Sequence, residues 1–256
     1  MSPNTVAFLA APLTFVSGLA GLFYQAWRPK DEDPDETRDL VTRTTGLVAT
    51  LAALVLGLLI ASANNFYNTQ KTGLELVSAR ALQLDELLRR YGPEAQPAHG
   101  LLLDLLKSMV TGGDEQIGQS GGVALKMPTI AATEAQMDAI FGLLNGLQPT
   151  ASELQKSMLG RAREIVQSIG DQRLLMNLQL SESLSWPVLT ILISWTSLLF
   201  FGFGMLARTN VTTVAVLAVG AFSVGSAIFL IVELSTPYNG MLRLSPAAVL
   251  TAIETI

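Results

Sequence analysis

No cysteine occurs in this 256-residue chain, and histidine occurs once, at His99. The first absence excludes disulfides, thiolate metal sites and a cysteine nucleophile. The second excludes a His-based triad and a His-rich metal centre, since neither can be built from one imidazole. Charge is scarce as well: 14% of residues are Asp, Glu, Lys or Arg, against about 25% in soluble domains. A net charge of −5 leaves no clustered basic footprint, which argues against nucleic acid as a partner. The glycine-rich stretch Thr111 to Gly122 lacks the Gly-Lys-Ser/Thr ending of a phosphate loop. The carboxylate pairs Asp85-Glu86 and Asp114-Glu115 are adjacent in sequence, so on a helix they diverge, and no nucleophile, base or metal-ligand set accompanies them. The expectation is a protein that is not an enzyme and uses no cofactor or catalytic metal.

Apolar length is what the chain has in abundance. Four stretches contain no Asp, Glu, Lys or Arg: Thr5 to Trp27, Thr44 to Ala63, Trp186 to Ala207 and Val211 to Val232. Each is at least about 20 residues long, enough to cross a ~30 Å hydrocarbon core as a helix. The fold expected is therefore all-α and integral to the membrane, with the lipid bilayer as its first partner. Four transmembrane helices form two hairpins, with a helical soluble domain between them. The divisions are 1–66 for the first hairpin, 67–185 for the extramembrane domain, 186–234 for the second hairpin and 235–256 for the C-terminal tail. The first span is no signal peptide, because its leading residues carry no positive charge and its apolar run is too long. Trp27, Arg28 and Lys30 close it as an interface anchor would. The turn from Arg28 to Asp39 holds two prolines and six acidic residues. Clustered carboxylates suit calcium, but EF-hand spacing and its turn glycine are absent, which favours a solvated loop.

Small residues recur three or four apart along both early spans: Ala7, Ala11, Thr14, Gly18 and Gly21, then Gly46, Thr50, Ala53, Gly57, Ala61 and Asn64. Such stripes let helix backbones approach closely in lipid. The second also turns polar at Asn64, Asn68 and Lys71, which suits a pore wall. Both uses are compatible with an oligomer. Past Ala63 no breaker appears before Tyr91-Gly92-Pro93, so the helix continues out of the membrane. Leu74, Val77, Ala81, Leu84, Leu88 and Tyr91 form an a/d seam on it, with Glu75, Arg80, Asp85, Glu86, Arg89 and Arg90 off the seam. Further helices are expected over 101–110, 134–147 and 149–184, the last using Leu154, Met158, Ala162, Ile165 and Ile169 as its apolar face. His99, in the turn-like stretch 91–100, reads as a solvated loop residue. Ser185 can cap the third span and Pro187 fits its first turn. No strand-like alternation supports a sheet.

Only Arg208-Thr209-Asn210 separates the third and fourth spans, which makes them antiparallel neighbours. Ala218, Ala221 and Gly225 smooth one face of the fourth. Glu233 lies near the end of its apolar core, where an ionisable residue is a functional candidate, and a carboxylate at a helix C-terminus calls for a partner. The runs Leu199 to Asn210, Ala227 to Leu234 and Pro237 to Pro246 resemble the bestrophin-like family of membrane proteins. So do Leu58 to Ala63, Leu84-Asp85 and Tyr91 to Ala95. Where that family has an aspartate after Glu-Leu, this chain has Ser235. The resemblance implies distant kinship with the bestrophin anion channels, which are pentamers with four membrane helices and a helical cytosolic region. It implies a homo-oligomer passing ions, chloride among them, with the pore along the second helix. Gly57, Asn64, Asn68 and Lys71 are then lining candidates, and Phe66 and Tyr67 are the nearest aromatics to an aromatic neck that Leu47 to Ala63 does not itself contain.

Four spans put the N-terminus, the central domain and the C-terminus on one side of the cell membrane. Basic residues are nearly even across it, with Lys71, Arg80, Arg173 and Arg243 on that side against Arg28, Lys30, Arg38, Arg43 and Arg208. The resemblance places the domain in the cytoplasm. The competing class of function is a non-conducting sensor or scaffold whose helical domain binds a partner, since four uncharged spans offer little for ion selectivity.

Overall fold

The computed structural model describes residues 3–27, 34–111, 124–147, 153–181, 186–239 and 241–256. Over these the chain is helical almost throughout. The helices are α1 (Pro3–Trp27), α2 (Pro34–Tyr91), α3 (Gln96–Ser108), α4 (Ile130–Gly146), α5 (Glu153–Ser181), α6 (Trp186–Leu206), α7 (Val211–Leu234) and α8 (Ala247–Thr255), with a 3-10 turn at Pro93–Ala95. Four of them are long and apolar enough to cross a membrane: α1, α2, α6 and α7. A short antiparallel ladder of β1 (Val110–Thr111) and β2 (Ala124–Leu125) pairs Val110 with Leu125 and Thr111 with Ala124. Two residues per strand are too few to show a period of two, so no alternation announced it. The glycine-rich stretch between these strands, the acidic residues 31–33 and the Ser185 cap lie outside the described residues.

The chain divides into two compact units, one of residues 1–66 with 184–235, the other of residues 67–183 with 236–256. In the first, α1 is the common partner of α6 and α7, which touch each other only over a short stretch. The short turn makes α6 and α7 neighbours, and the structure places α1 against both of them, with small residues as the reason. A Cβ added at Gly21 would strike the Phe201 carbonyl, one at Gly204 the Gly18 carbonyl, and one at Gly225 the Ala11 side chain. Bare backbone at these points lets the helices close to dispersion contact, which is what holds helices together where lipid removes the hydrophobic drive. The Ser17 hydroxyl adds a bond from α1 to the Ser197 carbonyl of α6 at 2.6 Å, of a kind worth about 0.6 kcal/mol in a membrane. Thr14 and Thr196 satisfy their hydroxyls on their own helices, on the Ala10 and Leu192 carbonyls, as lipid requires.

In the second unit the seam on α2 is the centre of the core. Leu74, Val77, Ala81, Leu84 and Leu88 are buried, each large side chain contributing about 1.5–3 kcal/mol of gross burial. They pack with Leu102, Leu105 and Leu106 of α3, Ile140 and Leu144 of α4, and Ala162, Ile165 and Ile169 of α5. Leu154, assigned to the same face of α5, is exposed, because it lies on the first turn of that helix, beyond the reach of the core. Tyr91 ends α2, and Gly92 then adopts φ 125°, a backbone region that a side chain would strain. The C-terminal segment belongs to this core too, through Leu244 and, on α8, Val249 and Ala252.

Polar side chains pin this unit together. Gln70 is fully buried; its amide donates to Gln179 Oε1 at 3.0 Å and to the Met176 carbonyl at 3.3 Å. Its own Oε1 accepts from the Tyr238 hydroxyl at 3.1 Å, and burial pushes the Tyr238 phenol above its ordinary pKa. His99 is not a loop residue. It sits on α3 with Nε2 3.0 Å from Asp85 Oδ1, while Asp85 Oδ2 meets Arg89 Nε at 2.9 Å. Asp85 is therefore buried rather than solvated, because α3 begins at Gln96 and brings its first turns over α2. Arg89 also donates to the carbonyls of Thr255 and Ile256.

Candidate functional site

The second stripe of small residues is positioned by what the other side of α2 does. In the first unit Thr45, Ala52 and Ala63 are buried, and Val55, Leu56 and Leu59 pack against Leu189, Leu192 and Ile228. Thr45 Oγ1 would lie 2.7 Å from a Cβ at Gly202 of α6. About 100° round the helix, Gly46, Thr50, Ala53, Gly57, Ala61 and Asn64 are all exposed. A Cβ added at Gly46 or Gly57 would meet nothing within 4 Å. These small residues are consequently not spent on packing inside the chain.

The apolar stretch of α2 is only 11% buried, against 39% for α6 and 28% for each of α1 and α7. Beside the stripe, Leu47, Leu51, Leu54 and Leu58 are also exposed. Among the described residues, two adjacent faces of one helix are thus left uncovered, one small and increasingly polar, the other uniformly leucine. On the part of α2 that belongs to the second unit, Asn68 and Lys71 are exposed. Lys71 lies 3.9 Å from Glu75, both on the surface.

The remaining candidates fall elsewhere. Phe66 and Tyr67 are half-buried and share the spacing of Ala63, Gln70 and Leu74, which puts them on the packed side of α2. Tyr67 packs against the second unit's core. Glu233 is fully enclosed in the last turn of α7, beside buried Ile231 and Val232. Among the described residues no group of three His, Asp or Glu side chains is arranged to hold a metal ion. Asp39, in the acidic turn weighed for calcium, instead meets Arg43 at 2.7 Å.

One charged group, counted from the sequence only for its side of the membrane, is enclosed in the core. Arg173 is completely buried, and its Nη1 donates to Gln136 at 3.2 Å while Nε and Nη2 meet no acceptor among the described residues. Burial lowers its pKa to about 10, so the guanidinium stays charged in the core at neutral pH. The signal was available: Arg173 is four residues after Ile169 and three before Met176, both buried, which is a seam position.

A crystal structure of a bacterial Bestrophin homologue from Klebsiella pneumoniae, in a single-substitution form, matches with a TM-score of 0.62. It is 14% identical, and the match covers 98% of this chain and 96% of that one. At that identity the likeness establishes a shared fold. No curated protein matches the chain in sequence. The family described as Bestrophin-like domain matches residues 11–249, a span holding α2, the α1–α6–α7 packing and the Glu233 to Pro246 exit. The chain belongs to the Bestrophin-like family.

Proposed function

We propose that the protein is one subunit of a homo-oligomeric membrane channel, selective for anions such as chloride, with its pore along α2. The observation that carries this reading is the exposed stripe through Gly46, Thr50, Ala53, Gly57, Ala61 and Asn64, with no neighbour near Gly46 or Gly57. A helix set round an axis needs one face for the conduit and a flanking face for the next subunit. The stripe suits the first and the exposed leucines suit the second. Family kinship supports a pentamer with four membrane crossings and with the second unit and both termini in the cytoplasm. Asn64, Asn68 and Lys71 would offer amide donors and a cation to a passing anion, while Phe66 and Tyr67 would support α2 rather than line it.

The test is ion flux from purified protein in liposomes, together with its mass by light scattering. Chloride flux that weakens relative to cation flux in Lys71→Glu is the expected result. No flux in any salt from a correctly assembled oligomer overturns it, and a monomer or dimer without an axis favours the sensor or scaffold reading.

A further inference from the structure

Near their connecting turn, α6 and α7 leave between them a groove of about 530 Å³. It is walled by Phe200 and Phe203 of α6 and by Val216, Leu217 and Gly220 of α7, with Thr213 at its rim. Gly220 keeps it open, since a Cβ there would come within 3.1 Å of the Phe200 ring. Phe203 and Val216 are exposed at 43% and 66%, so the groove opens sideways to the surroundings of the helices. The turn beside it carries exposed Arg208. Within α6 and α7 the one charged residue is Glu233, next to last at the opposite end of α7. An apolar slot with a cation in the adjoining turn is complementary to an acyl chain under a negatively charged phosphate. We propose that this groove is a binding site for an anionic phospholipid, with one acyl chain between α6 and α7 and the phosphate at Arg208.

The proposal rests on α6 and α7 crossing the membrane, but not on conduction. Native mass spectrometry of the full-length protein, titrated with phosphatidylglycerol and with phosphatidylcholine of the same chains, measures it. Phosphatidylglycerol is expected to be retained about fivefold more strongly, the effect of one basic residue near an anionic headgroup, and Arg208→Gln to abolish that preference. Gly220→Leu is expected to displace both lipids, while Val219→Leu, outside the groove, retains them. Should Gly220→Leu fail to fold, Val216→Trp fills the same slot from its rim. Equal retention of both lipids by the unaltered protein, or unchanged retention in the filled variants, overturns the site. So does displacement of the lipid by inorganic phosphate alone, because the acyl chain would then contribute nothing. Carbonate extraction separates the premise from the proposal: protein that stays in the membrane pellet yet carries no lipid refutes the groove only.

Discussion

α1 and α2 carry the same sequence device and use it in opposite ways. Gly18 and Gly21 of α1 are buried under α6 and α7, so their missing side chains are what allows three helices to meet. Gly46 and Gly57 of α2 have open space around them. A stripe of small residues therefore reports that something comes close, and leaves open whether that is another helix of the same chain. Among the described residues the α1 stripe is covered and the α2 stripe is not.

Substitution should separate the two stripes sharply. Gly21→Leu drives a side chain into the Phe201 backbone, which cannot yield. The expected loss is about 3 kcal/mol or more, read as a large drop in the melting temperature of the solubilised protein. A small drop would mean that α1 is not the keystone described above. The next largest effect tests whether periodicity misleads elsewhere too, since Arg173 holds a place that the seam on α5 assigns to an apolar residue. Arg173→Met should stabilise the protein by about 1–4 kcal/mol, as apolar replacements of buried charge often do. The sign follows from the direction of its shift. With the folded pKa lowered to about 10, below that of the unfolded chain, the unfolded chain binds the extra proton between the two. The cost is thus fully present below about pH 10 and fades only as the pH rises through that window. Destabilisation by Arg173→Met in chemical denaturation at pH 7 would reveal a stabilising role for the charge.

The smaller effects compare α2 with itself. Gly73 packs beside Gln172 Nε2 and Met176 Sδ, each 2.8 Å from an added Cβ, but both are ends of flexible side chains. Gly73→Ala should cost about 1 kcal/mol in the same unfolding assay, overpacking being partly offset by better helix propensity. Gly57→Ala, in open space, should stabilise the protein by about 0.5–1 kcal/mol. If the stripe lines a conduit, the bulkier Gly57→Phe cuts liposome flux while leaving melting nearly unchanged. Equal melting losses at positions 21 and 57 would abolish the distinction between the helices.

Much of the architecture was legible because lipid and core impose simple periods. The four apolar runs, the helix continuing from Ala63 to Tyr91 and the buried seam from Leu74 to Leu88 all follow from composition, spacing and the absence of breakers. What stayed hidden depends on tertiary neighbours. His99 looked like a turn residue until α3 brought it to Asp85, which is buried although it lies off the apolar seam. Nothing in the spacing of α6 and α7 says that α1 takes the place beside each of them. The stripe on α2 was legible as a stripe, yet its exposure appears only once the rest of the first unit is assembled round its other face.

The buried Gln70 amide settles a question that the apolar seam leaves open. Leucine and alanine at regular spacing on α2 and α5 would pack nearly as well if one helix slid past the other by two turns. Gln70 has no such tolerance. Its donors need Gln179 and the Met176 carbonyl, and its acceptor needs the Tyr238 hydroxyl; a slipped pairing strands all of them in a dry core, at about 1–3 kcal/mol for each unsatisfied group. One glutamine thus selects a single register from a repeating set, in the way a polar residue fixes alignment in a coiled coil.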